Sequence, residues 1–185
     1  MKRLGAIILL CAVSYLASAQ DSKQIRSRKI ERVSSKTEQL QKEKKEVSFE
    51  TTHYDRKGRE VLVEFFNADS ICFKTERFEY NHKGKIILHV TSDSTSHKTT
   101  SVEQQFDAWN RLIEKMTIEN GVITERIVYA YNNLDDKTSE IHYGKDGALK
   151  KKTVFAYDKR GMLIRRTTEN AEGTIIFDKS IEYEY

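Results

Sequence analysis

The chain has 185 residues, with 32 Lys and Arg against 28 Asp and Glu, a formal net charge of +4, two cysteines and no proline. So close a charge balance is not the footprint of a nucleic-acid binder, which needs basic residues gathered on one face. Two cysteines, one of them inside an apolar leader, exclude a disulfide framework and a cysteine metal site, and a chain without proline suits long uninterrupted strand ladders.

Residues 1–19 read MKRLGAIILLCAVSYLASA. A short basic start, a brief apolar stretch and the small residues Ala17, Ser18 and Ala19 predict a secretory signal peptide, too short in its apolar part to span a membrane. Cys11 raises a lipoprotein reading, but Leu10 stands where a lipobox wants a small residue. Cleavage after Ala19 would start the exported chain at Gln20 and leave 30 basic against 28 acidic residues. The expected location is therefore outside the cytoplasm, by the general export pathway: periplasm, outer-membrane surface or extracellular.

Residues 20–46 form a polar leader with nine Lys and Arg, five Asp and Glu, and few large apolar side chains. Three readings fit it: a disordered leader, a helix across an open sheet edge, or one irregular leading strand. A partly ordered cap is favoured, because an exposed first strand invites edge pairing.

Residues 47–185 repeat. Aromatic residues stand at Tyr54, Tyr80, Phe106, Tyr131, Tyr157 and Tyr183, spaced 26, 26, 25, 26 and 26 residues apart. Each is followed by Asp, Asn or Glu, and four residues after the first five aromatics come Gly58, Gly84, Asn110, Asp135 and Gly161. Gly, Asn and Asp tolerate a left-handed backbone, so this column predicts a turn. A second turn column lies ten residues before each of the last five aromatics, at Ser70, Ser96, Gly121, Gly147 and Gly173. Between the turns the residues alternate, as in Val61, Val63, Phe65 and Ile86, Leu88, Val90. The expected fold is all-β: an antiparallel meander of about five 26-residue hairpin repeats, with an aromatic-rich face that would be wet unless the sheet curls or spirals. On that expectation, truncating Tyr131 or Tyr157 to Ala should cost about 3–5 kcal/mol, as in a core.

The phrase Tyr54-Asp55 with Gly58-Arg59 resembles the signature of the YD repeats of the rearrangement-hotspot (RHS) family and its small secreted relatives. Tyr157-Asp158 with Gly161 lacks the Arg, and Tyr80-Asn81 with Gly84-Lys85 is a near match. The resemblance covers roughly residues 50–185 and implies spiralling β-hairpins in a bacterial protein. Large members are shells around a toxin, for which this chain is too short. The stretch Tyr143 to Lys150 also resembles MORN-type repeats, which are hairpins as well.

No reaction stands out. His53, His82, His89, His97 and His142 have no metal-ligand spacing, and no nucleophile elbow, phosphate loop or dinucleotide fingerprint is present. The sequence therefore calls for no metal and no cofactor. The Asp/Asn column after the aromatics (Asp55, Asn81, Asp107, Asn132, Asp158) is expected to hold backbone N–H groups within its own turns.

The turns after the aromatics are rich in Lys and Arg, whereas Asp69, Asp93, Glu119, Asp146, Glu169 and Glu172 mark the opposite ones. Trp109 breaks the first pattern, standing where the other repeats place Lys57, Lys83, Leu134 and Arg160. It would either grip a ligand or fold over the neighbouring hairpin. The candidate binding residues are Trp109, Arg111, Lys83 and Lys85, with an acidic glycan or a protein as partner. The leading expectation is an exported, non-catalytic binding or structural module of a bacterial envelope. The alternatives are a glycan-active hydrolase and a partner or immunity protein of a secreted toxin.

Overall fold

The computed structural model describes residues 18–41 and 44–184; the signal-peptide reading falls almost wholly outside them. The described residues form one helix, α1 (Ser18–Ser27), and twelve strands: β1 (Arg32–Gln41), β2 (Lys44–Tyr54), β3 (Glu60–Phe66), β4 (Cys72–Tyr80), β5 (Ile86–Asp93), β6 (Lys98–Phe106), β7 (Leu112–Glu119), β8 (Val122–Tyr131), β9 (Lys137–Gly144), β10 (Leu149–Tyr157), β11 (Leu163–Asn170) and β12 (Ile175–Ser180). Strand order in the sheet is chain order, an all-antiparallel meander whose end strands are β1 and β12. The fold is thus all-β and built of hairpins. Among the described residues no helix is long and apolar enough to cross a membrane.

Two compact units divide the chain, one ending at Ser70 and the other beginning at Ile71. In the first, β1 pairs with β2 over its whole length, Arg32 opposite His53 and Gln41 opposite Lys44, and β2 pairs with β3. The leader therefore contributes a short helix and a regular strand. Ile25 of α1 is 8% exposed, and Tyr54 N–H donates to the Glu31 carbonyl at 2.9 Å, tying the helix–strand junction to the first repeat.

In the second unit β4 to β12 pair in succession, and contacts between elements run between sequence neighbours among the described residues. Local contacts of this kind make stability a sum of repeat and neighbour terms.

The turn after each aromatic has one construction. Asp55 N–H donates to the Arg59 carbonyl at 2.9 Å and Gly58 N–H to the Asp55 carbonyl at 2.9 Å; Asn81, Asp107, Asn132 and Asp158 head the same frame. Gly58, Gly84, Asn110, Asp135 and Gly161 take φ of 75, 82, 71, 67 and 79°. The strand register shifts by one residue immediately before each aromatic, at His53/Tyr54, Glu79/Tyr80, Gln105/Phe106, Ala130/Tyr131 and Ala156/Tyr157. A turn closed by a left-handed residue and a bulge is what a hairpin loop of this length requires.

The opposite turns are less uniform. Positive φ falls on Ser70, Gly121, Gly147 and Gly173, but in the second repeat on His97, not Ser96. There Asp93 Oδ1 accepts the N–H groups of Thr95 and Ser96 at 2.8 and 3.1 Å, and the loop between the paired Asp93 and Lys98 ends on His97.

The large buried core expected under the aromatic face is absent among the described residues: only Ile25, Val63 and Ile127 are buried apolar residues there, and Tyr131 and Tyr157 are half-buried. The face is instead interleaved with charge. Lys137 lies 5.5 Å from the Tyr129 ring centroid and 4.8 Å from that of Phe155. Beside this row His142, 7% exposed, contacts Glu125 through Nδ1 at 3.2 Å and Glu140 through Nε2 at 2.6 Å. The charged ends themselves lie over the rings, and Lys137 Nζ also donates to Glu140 at 2.8 Å; a cation over a ring face stabilises a half-solvated aromatic face without burying it.

Candidate functional site

The side chain of the Asp/Asn column builds the site-bearing turns. Asp107 Oδ1 accepts the N–H of Trp109 at 3.0 Å and that of Arg111 at 2.9 Å, and the other four residues of the column do the same within their own turns. The oxygens are thereby spent on backbone. Burial of Asp107 is outweighed by the donors of Arg111 and Trp109, which hold its carboxyl below the usual range. No group of three or more His, Cys, Asp or Glu able to hold a metal occurs among the described residues.

In the second unit three of these turns are clamped side by side. Lys83 Nζ donates to the Ala108 carbonyl at 3.1 Å, and Asn81 Nδ2 to Asn110 Oδ1 at 3.1 Å, which joins the 81–85 turn to the 107–111 turn. Arg111 Nη1 donates to Asp135 Oδ1 at 2.8 Å and to the Asn132 carbonyl at 3.3 Å, which joins the third. Arg111 also donates from Nε to Asp107 Oδ2 at 2.7 Å. Its guanidinium lies 5.0 Å from the Trp109 ring centroid and 5.1 Å from that of Tyr131.

The structure therefore brings Lys83, Trp109 and Arg111 together but gives them different roles. Arg111 is the clamp of the rim, with carboxylates and ring faces around it, rather than a donor held out for a ligand. Lys83 is exposed but tethered, and Lys85 is exposed beside it. Trp109 does not fold over a neighbouring hairpin; it is 72% exposed. Leu134, 76% exposed, occupies the equivalent position of the next turn. Sequence reasoning placed Leu134 in the column without assigning it to the site, although an apolar side chain in a polar turn column was the available signal. Two adjacent turns thus hold out a large apolar tip, with Lys83 and Lys85 before them in the row and Lys159 and Arg160 after them. Such a row can stack on a sugar ring or cover an apolar surface while its cations meet acidic groups.

At the opposite end of β4 to β6 an open hollow of about 380 Å³ is lined by Cys72, Phe73, Asp93, Ser94, His97 and Lys98, among others. Cys72 is exposed there as a free thiol and donates weakly to the Lys74 carbonyl at 3.6 Å.

No family model and no curated protein matches the chain. Among solved structures it is similar to a porin-like protein from Bacteroides uniformis, at 15% identity and a TM-score of 0.35, over 76% of this chain and 56% of that one. It therefore spans little more than half the length of that protein. A protein of unknown function from Bacteroides fragilis is similar at 13% identity and a TM-score of 0.28, over 84% of this chain and 96% of that one. The S. aureus protein TarM follows at 11% identity and a TM-score of 0.27, over 83% of this chain and 22% of that one.

Proposed function

We propose that the chain is an exported, non-catalytic β-repeat protein of a bacterial envelope whose second unit binds an acidic glycan along the rim of turns that follow the aromatic column. The observation that carries this reading is Trp109, 72% exposed at the tip of a turn whose geometry is set from below by Arg111. Holding an indole in water is costly in a monomer, and a rigidly mounted aromatic is how sugar rings and partner side chains are gripped. Leu134 widens the apolar contact, while Lys83 and Lys85 supply charge for carboxylates or sulfates. The reading as non-catalytic rests on the sequence, in which no nucleophile–base pair or metal spacing stands out.

Trp109 is the single tryptophan, so its emission reports the site directly. The free protein should emit as a solvated indole and shift to the blue when titrated with acidic polysaccharides, and Trp109→Ala should abolish retention on the same glycans. Emission already blue-shifted in the free protein and unchanged by every glycan would end the proposal.

A further inference from the structure

The interleaved row on the aromatic face runs toward the end strand β12 and stops there incomplete. Phe155 of β10 stands directly opposite Arg166 of β11. The Arg166 guanidinium lies 5.9 Å from the Phe155 ring centroid and 5.2 Å from that of Phe177 in β12. From β8 to β12 the order is therefore Tyr129, Lys137, Phe155, Arg166, Phe177: aromatic and cation in alternation. Phe177 is 44% exposed, and the pattern calls for a cation on its open side.

The same strand carries a cation with the converse need. Lys179 is paired across the ladder with Arg166, and like charges directly opposite one another repel. The backbone completes the picture. Ile181 N–H donates to the Ile164 carbonyl at 2.9 Å, so alternation along an antiparallel pair turns Phe177 and Lys179 inward. Asp178 and Ser180 then turn their N–H and C=O groups to the open edge, a template for another strand. Ile175 and Ile176, 55% and 58% exposed, add an apolar run beside it.

We propose that β12 pairs with β12 of a second copy of this chain, antiparallel and about a two-fold axis at Asp178, so that one sheet continues across two molecules. This register sets Phe177 of each copy opposite Lys179 of the other, in a position where side chains approach closely, and repeats across the interface the direct pairing of Phe155 with Arg166. Asp178 meets its own counterpart at the axis. Each carboxylate is already held by its own Arg165, through Nε at 2.9 Å and Nη2 at 2.7 Å, so the two meet neutralised. A self-complementary edge closes on itself and stops at a dimer.

Sedimentation equilibrium of the purified full-length exported protein, over micromolar to submillimolar concentration, tests this with two variants. Ser180→Pro removes an outward N–H and leaves the inward ladder to β11 intact, so the strand spectrum should persist while the protein becomes monomeric. Lys179→Glu should weaken the dimer by about tenfold or more, because both cross-interface cation contacts go. The same change removes the repulsion with Arg166 and should raise the melting temperature of the monomer. A wild-type protein that is monomeric throughout overturns the proposal. So does a dimer that keeps its dissociation constant in both variants, which would place the interface elsewhere.

Discussion

The hydroxyl of Tyr157 donates to the backbone carbonyl of Lys137 at 2.9 Å, joining the aromatic of one repeat to the first strand residue after the preceding turn. Tyr131 does the same to Leu112 at 2.9 Å, and Tyr183 to Leu163 at 3.1 Å. The aromatic column is thus an inter-repeat latch at one end of the sheet, and burial raises the hydroxyl pKa of both Tyr131 and Tyr157, which keeps them donors. Tyr157→Phe, which removes the bond and keeps the ring, should cost about 0.5–1.5 kcal/mol in urea unfolding. Tyr157→Ala should cost more than Tyr157→Phe but fall short of the roughly 3–5 kcal/mol of a core aromatic, because the ring is only half-buried.

The third repeat lacks this latch, since Phe106 has no hydroxyl. Ile86 is the residue equivalent to Leu112 and Lys137, so Phe106→Tyr should add a bond to the Ile86 carbonyl. We expect a gain of about 0.5–1.5 kcal/mol in chemical unfolding. No gain would mean that the bulge before Phe106 aims the ring differently from its equivalents.

Arg111 should be the most sensitive residue of the rim. It bonds two carboxylates and lies against two rings, and Lys cannot reproduce a planar fork. Arg111→Lys should therefore lower the melting temperature and increase the rotational freedom of Trp109, read as lower steady-state fluorescence anisotropy. Unchanged stability and anisotropy would show that Asp107 and its backbone bonds hold the turn alone.

Acid should weaken the sheet as pH falls through and below the range of ordinary carboxylates. Hydrogen bonds from His89 and Lys74 hold Glu76 at about 2 despite burial, against 4.5 for a free glutamate. A depressed folded-state value stabilises above the unfolded one and is lost as pH falls through the folded one. The contribution of Glu76 should thus be complete above about pH 4.5 and disappear by about pH 2. Thermal melts across that window should fall less steeply for Glu76→Gln than for the wild type, and identical slopes would remove Glu76 from the account.

What the sequence determined by itself is the local part of this molecule. A left-handed residue, an Asx side chain and a fixed spacing act within five residues, so the five turns at Gly58, Gly84, Asn110, Asp135 and Gly161 could be read directly, and with them an antiparallel meander. Even the second column slipped by only one residue, at the loop between the paired Asp93 and Lys98, where His97 and not Ser96 is left-handed. What only the tertiary structure decided is which side chains meet across strands. Lys137, Arg166 and His142 read as ordinary polar strand residues, and register alone sets them against Tyr129, Phe155, Phe177 and Glu125. The same holds for Arg111, whose place in the sequence beside Trp109 suggested a ligand donor, but whose partners Asp135 and Tyr131 lie about a repeat away along the chain. Turn chemistry is a property of consecutive residues; a cross-strand contact exists only once two distant segments have taken one register, and no single stretch of sequence contains that information.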